Sequence, residues 1–269
     1  MIKILPWTYK DPLNMIGVCA GYCWGSNTTN PEENIKRAKF CIKSNHGRAE
    51  EFPDIYCTID GYSARCIREL SRHCVGTTFL QSSTRYVDAK DMNPREDFFY
   101  PYGFDKTQTD VLFKGYKKIM ETYNELESLD VNKEDAANIL PLGMNTDIVW
   151  KLNVRALIHF MELRLCNRAY KEIRQLCIEL KNKMSEYSDE WKWIADNYFV
   201  PSCKTRGYCI EAKCCGAAPK GIEGLKKQAI TDFLMYQSKI DNMGQPTVLS
   251  NKTIGLIDEF LKNSNRELK

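Results

Sequence analysis

"DIVWKLNVRALIHFMELRLC", residues 147–166, is the stretch on which the reading of the fold turns. Ile148, Val149, Trp150, Leu152, Val154, Leu157, Ile158, Phe160, Met161, Leu163 and Leu165 leave no clean polar face when wound at about 100° per residue. The pattern predicts one long helix over 147–166. A helix apolar on all sides belongs in a large core or between subunits. Yet this one carries Asn153, Arg155, His159, Glu162 and Arg164. Wound as a helix, Arg155, His159 and Glu162 share one side, and Asn153 and Arg164 lie on the other. Buried charges must be paired or must meet a ligand. Glu162 is the candidate partner of Arg155. Arg164 has no acid three or four positions away, which points to a ligand or to another subunit.

Outward from that stretch, 168–187 reads as a second long helix and 109–129 as a strong amphipathic one. "NKEDAANIL" is a short helix stopped by Pro141. "PEENIKRAKFCIKS" (31–44) has proline and acids at its start and bases at its end, all helix signals. "DIYCTIDGY" (54–62) and "MIKILPWTY" (1–9) read as strands. "SARCIRELSRHC" (63–74) reads as a Ser-capped helix. "SRHCVGTTFLQSSTRYV" (71–87) therefore starts in the last turn of a helix and reads on as a loop, and 88–105 is irregular.

The chain has 269 residues, 43% of them hydrophobic and 27% charged, as in an ordinary soluble domain. The net charge of +3 is too small to argue for nucleic acid. No apolar run approaches the roughly 18 residues that span a bilayer. The first residues lack the pattern of a signal peptide. The chain reads as cytoplasmic, with its 12 cysteines mostly reduced. Cys41, Cys57, Cys66, Cys166 and Cys177 sit in apolar-periodic segments and read as small core residues. Cys203, Cys209, Cys214 and Cys215 crowd one Gly- and Pro-containing loop. Their C-x5-C-x4-C-C spacing matches no common zinc pattern, so they are metal candidates only against a structural reading as a loop. The expected division is a main domain over 1–200 and a Cys-rich loop with a helical extension over 201–269.

Four blocks resemble the flavin-dependent thymidylate synthases. Residues 71–87 resemble an R-H-R triplet followed by a loop ending in S-x-R-Y. "EDAANILPLGMNTDIVWKLNVRALIHFMELRLCNRAYKEIR" resembles the family's second block. "HGRAEE" resembles H-x4-E, and "GYCWGS" resembles a short loop ending in Ser. The blocks stand in the family's order over roughly residues 15–180. The resemblance implies an α/β fold with a mixed central sheet and long helices. It implies methylation of dUMP to dTMP, with methylenetetrahydrofolate as carbon donor and FAD, reduced by NADPH, as hydride carrier. It further implies a homotetramer whose active sites are shared between subunits.

Carried over by position, Arg72 and His73 would meet the flavin, and Asn153, Arg155 and His159 would line it. His46 and Glu51 match H-x4-E, with His46 near flavin and pyrimidine. Ser26 would sit near the flavin phosphates or ribityl chain. Arg164 would polarise the uracil carbonyl. Ser83, Thr84 and Arg85 would hold the dUMP phosphate, with Gln81, Ser82, Glu69 and Arg72 as further nucleotide contacts. Counting from either end leaves Ser82 or Ser83 as the signature serine; S-x-R-Y favours Ser83. Three departures bear on nucleotide binding. Cys74 replaces the third residue of R-H-R, Glu69 stands where Gln is common, and Asn138 stands in place of an Arg. They keep open a flavoenzyme making another 5-substituted pyrimidine nucleotide, while the cysteine cluster and the mild basicity keep open a non-catalytic nucleotide- or RNA-binding protein of this fold.

Overall fold

The computed structural model describes residues 1–241, with side chains through residue 235. They fall into two compact units, Met1–Pro201 and a second from Ser202 onward. The first unit opens with β1 (Ile2–Ile4), α1 (Pro12–Trp24) and α2 (Pro31–Lys43), then β2 (Asp54–Ser63), α3 (Ala64–Leu70) and β3 (Thr77–Gln81). It continues with α4 (Lys106–Ser128), the short α5 (Lys133–Ala136), β4 (Asn145–Asn153), α6 (Val154–Arg164), α7 (Lys171–Tyr187) and α8 (Asp189–Tyr198). The second unit holds α9 (Ser202–Arg206) and α10 (Gly221–Asp241). The α/β class holds, with four strands in the order β1-β2-β4-β3. All three strand pairings are antiparallel, so the mixture is of helices with strands, not of strand directions.

The single helix expected over 147–166 does not exist. Residues 145–153 form β4, at the centre of the sheet, and only 154–164 are helical. Ile148, Trp150 and Leu152 are buried, while Val149 is exposed, which is the period of two of a strand. Val154, Leu157, Phe160 and Met161 then bury one face of α6. Two ordinary amphipathic patterns laid end to end had imitated a helix with no polar face. The junction is Asn153, whose extended backbone and side chain cap α6 by accepting a hydrogen bond from Ala156 N at 2.8 Å.

The second revision is β3. Thr77–Gln81 lies inside the expected loop of 71–87 and pairs with β4, Thr77 opposite Leu152 and Gln81 opposite Ile148. Its β-branched and aromatic residues suit a pleated surface. Other expectations shift less. The strand expected over 1–9 is confined to residues 2–4, ahead of Pro6. The helix expected over 63–74 ends at Leu70, leaving Arg72 and His73 beyond it. Helix α4 starts at Lys106, where Asp105 and Gln108 form a reciprocal capping box.

Buried residues of the sheet, α1–α3 and α6–α8 form one core, in which Trp150, Phe160 and Trp191 are the bulky members. Glu172 of α7 is buried there. It accepts from Ser63 N at 2.7 Å and Ser63 Oγ at 2.6 Å, pinning α7 to the β2–α3 junction. A smaller cluster under α4 packs Phe98, Tyr116, Met120 and Tyr123. Cys41, Cys57, Cys66 and Cys177 are buried as expected, whereas Cys166 is half-buried. No helix among the described residues is long and apolar enough to cross a membrane.

Candidate active site

A cavity of about 740 Å³ opens at the junction between β4 and α6. Arg72, His73 and Gly76 from the α3–β3 turn line it, together with Asn153, Arg155 and His159 and, from the turn after α2, Glu50 and Glu51. Three separate sequence blocks thus meet at one place. Gly76 is needed there. Its φ is +71°, and a Cβ on it would lie 2.6 Å from Asn153 Nδ2. Its carbonyl accepts from Asn153 N at 3.0 Å, tying the turn to the end of β4.

Arg155 is paired across the cavity rather than along its own helix. Its Nη1 donates to Glu51 Oε1 at 2.6 Å, and Arg48 Nη1 donates to Glu51 Oε2 at 2.8 Å. The hydrogen bond from Arg155 is the main reason the Glu51 carboxyl is held below its usual range. Glu162, the partner expected for Arg155, also lines the cavity.

Arg164 closes α6 beside His73. Its Nε donates to His73 Nε2 at 2.9 Å, and its Nη2 donates to the Glu69 carbonyl at 3.2 Å. Its Nη1 stands 3.3 Å from Glu69 Oε2. Arg164 was expected to lack an acid; none is near along the helix, but α3 supplies Glu69 across the packing. Arg72 Nη1 reaches the other oxygen of Glu69 at 3.5 Å, so one carboxylate bridges two guanidinium groups. Burial, then the charge of Arg164 and the neighbouring His159, push His73 down to about 4. His73 is therefore neutral near pH 7. Because Nε2 accepts from Arg164, its ring proton sits on Nδ1. Phe160 holds the ring edge-on, with centroids 4.9 Å apart.

The residues expected to hold phosphate lie elsewhere. Ser82, Ser83 and Thr84 line a different cavity, of about 450 Å³, with Asn145, Thr146 and Asp147 of β4. Asn145 and Asn153 are the two ends of β4. At roughly 3.3 Å per residue the strand separates them by about 25 Å. Strand β3 likewise stands between His73 and Ser83. In the loop, Ser83 Oγ accepts from Arg85 N at 3.3 Å, and the Ser83 carbonyl accepts from Tyr86 N and Val87 N. Ser83, not Ser82, thus organises the turn. Arg85 is exposed and its Nε donates to Glu134 at 3.0 Å. Gln81 donates to Thr146 Oγ1 at 3.2 Å. Asn138 donates to the Asp135 carbonyl at 3.0 Å.

His46 and Ser26 stay apart from both cavities. His46 is exposed, faces Phe40 at 6.2 Å, and lines an apolar groove with Cys19, Tyr22, Trp24 and Phe52. Ser26 is exposed just past the end of α1, its N–H bonded to the Gly21 carbonyl at 2.9 Å. In the second unit, Cys214 Sγ lies 3.4 Å from both the Ala218 carbonyl and Gly216 N. Among the described residues no three or more His, Cys, Asp or Glu side chains are arranged to hold a metal ion.

Two cavity residues escape a reading of the sequence. Gly76 had a weak signal, a glycine immediately before a pair of β-branched threonines. Glu50 had none, since nothing in "HGRAEE" distinguishes the buried acid from its exposed-side neighbour.

A family model described as thymidylate synthase complementing protein matches residues 4–188. The flavin-dependent thymidylate synthase of Pyrococcus furiosus is 32% identical over 224 residues, 78% of this chain and 90% of that one. That of Pyrococcus abyssi is 32% identical over 158 residues, 57% of this chain and 64% of that one, just under two thirds of its length. Among solved structures, thymidylate synthase X of Helicobacter pylori, with FAD and dUMP, superposes with a TM-score of 0.62 at 18% identity, covering 74% of this chain and 99% of that one. A UMP/dUMP methylase from Streptomyces cacaoi, bound with 5-Br dUMP, gives 0.60 at 16% identity, covering 74% and 96%. The sheet order, the cavity built from three sequence blocks and the match over residues 4–188 converge: the chain belongs to the flavin-dependent thymidylate synthase family.

Proposed function

We propose that this chain converts dUMP to dTMP, with FAD as cofactor and methylenetetrahydrofolate and NADPH as co-substrates. The observation that carries the reading is the meeting of His73, Asn153, Arg155 and His159 in one cavity, with Arg164 bonded to His73 at its edge. The residues present fit an anionic, ring-bearing cofactor. Arg72 and Arg155 line the cavity and offer positive charge. When bound, FAD would supply hydride chemistry that no side chain can. Neutral His73 would orient Arg164, and Arg164 would stabilise negative charge developing on a uracil carbonyl. Ser83, Thr84 and Arg85 would take the phosphate.

A homotetramer with shared sites belongs to the same reading. The cavity at Asn153 and the loop of residues 82–84 lie at opposite ends of β4, which favours sites completed between chains that juxtapose the two ends. The absence of a membrane-spanning helix among the described residues is compatible with the cytoplasmic setting we infer.

Glu69 favours a second reading. Its carboxylate occupies both Arg72 and Arg164, where a nucleotide would compete for them. A relative selecting a different pyrimidine nucleotide would use that position to discriminate, and the likeness to a UMP/dUMP methylase supports the idea. The test is product analysis with FAD, NADPH and methylenetetrahydrofolate, offering dUMP and UMP in competition. Preferential dTMP supports the first reading. Preferential methylation of UMP supports the second.

A further inference from the structure

One side chain on the cavity wall has no role in the account so far. Glu50 sits in the single turn Ala49–Glu51 and is only 5% exposed, yet it lines the 740 Å³ cavity. Its neighbour Glu51 engages both nearby guanidinium groups, Arg155 at 2.6 Å and Arg48 at 2.8 Å. Among the described residues no hydrogen bond or ion pair reaches the Glu50 carboxyl. A carboxylate so placed would be poorly hydrated, without a hydrogen-bonded counter-ion, and beside an ionised acid.

The surrounding charges can be followed face by face. Arg155, on α6, favours the ionised form, and Glu51 opposes it. Cys41 on α2 and Tyr198 on α8 border Glu50 from the core side, and burial first, then the charge of Glu50, pushes both of them up. His159 and Glu162 of α6 stand along the cavity, with Arg72 and His73 from the α3–β3 turn. Burial dominates this balance and pushes Glu50 up to about 7.

We propose that Glu50 enters the cavity as an un-ionised carboxylic acid, and that the anionic flavin cofactor binds this form, so that flavin binding takes up a proton. The inference rests on the flavin reading above. The cofactor's diphosphate is negative. An ionised Glu50 would add a second buried anion to the same poorly hydrated space. The protonated acid adds no charge and offers an O–H donor to a ring carbonyl or phosphate oxygen. By linkage, a ligand that prefers the protonated form must tighten as pH falls and must draw a proton from solution when it binds.

The experiment uses the full chain stripped of flavin and titrated with FAD, followed by quenching of flavin fluorescence at pH 6 and pH 8.5. Calorimetry in two buffers of different ionisation enthalpy counts the protons. For the parent the Kd should rise at least about tenfold from the lower to the higher pH, with proton uptake near neutrality. Glu50→Gln keeps the size and a donor but cannot ionise. It should bind with a Kd that changes less than about twofold, with no uptake. Glu50→Met, which lacks the donor, should be equally insensitive to pH but weaker, and serves if the glutamine variant does not fold. An unchanged pH slope or unchanged proton uptake in these variants overturns the role of Glu50 and leaves the flavin reading intact. A parent that binds no FAD at pH 6 overturns the flavin reading itself, and this inference with it.

Discussion

At the scale of single residues, the site depends on a few cross-element pairs. Arg164 joins the end of α6 to His73 and Glu69. Arg164→Ala should leave the fold and assembly intact, because Glu69 keeps Arg72 as a partner. It should lower dTMP formation by about two orders of magnitude or more, since a charge aimed at the developing oxyanion is lost. Flavin reduction by NADPH should survive better, which stopped-flow absorbance can separate from product formation. His73 makes a second prediction, on acid stability. Its folded pKa, about 4, lies below the usual imidazole value. Between those values the unfolded chain holds more protons, so stability is full above about pH 6.5 and is lost as pH falls towards 4. Discounted for partial exposure, the loss should be on the order of 1 kcal/mol. Between pH 7 and pH 4.5 the urea midpoint of the parent should fall relative to that of His73→Gln, in which every other titrating group is unchanged. The same pairs explain what a sequence reader can and cannot see. That Arg164 needs a partner fits its largely buried place at the end of α6, whereas Arg155 is exposed and its apolar setting came from reading 147–166 as one helix. That Glu51 and Glu69 partner these arginines depends on packing between elements 104 and 95 residues apart in sequence.

At the scale of elements, the β4–α6 junction sets the geometry of the cavity. Asn153 ends a strand, caps a helix and bonds the Gly76 carbonyl. Asn153→Ala should cost about 1 kcal/mol through the lost cap. Gly76→Ala should cost more than that, because a Cβ meets Asn153 at 2.6 Å on a backbone of positive φ. Denaturant midpoints rank the two, and the reverse ranking would show that the turn can shift freely. This junction is also where periodicity misleads. A strand of period two followed without a break by an amphipathic helix leaves no polar gap to mark the change, and Asn153 is the only local sign. Thr77–Gln81 was hidden for a different reason. A short strand with an exposed Leu80 has too little alternation to stand out from a polar loop. Helix α2 was legible because Pro31 and the acids after it signal its start chemically, whereas α4 was legible from its periodicity alone and its start, capped by Asp105 and Gln108, was missed by three residues.

At the scale of the whole molecule, β3 and β4 separate the cavity at Asn153, where we propose that flavin binds, from the loop of residues 82–84, where we propose that phosphate binds. Read as a loop, 71–87 carries candidate residues for both flavin and phosphate; as turn, strand and turn it holds them at opposite ends of β3. The candidates could be named from the sequence, but their separation could not, because it depends on strand pairing. The cysteines of the second unit lie outside every block that lines the cavity. Serine at Cys203, Cys209, Cys214 and Cys215 should therefore leave flavin content within about twofold, as read from the absorbance of purified protein.

The most direct test of sites completed between chains is complementation. Arg85→Ala and Arg164→Ala variants are purified separately, then co-expressed in equal amounts, and dTMP formation is measured for each. Alone, each should be nearly inactive. Mixed at random, about a quarter of the sites should combine an intact phosphate loop from one chain with an intact Arg164 from another, restoring a corresponding share of parent activity. Co-expressed protein no more active than the separate variants would contradict the account, because it would mean that one chain supplies both ends of its own site.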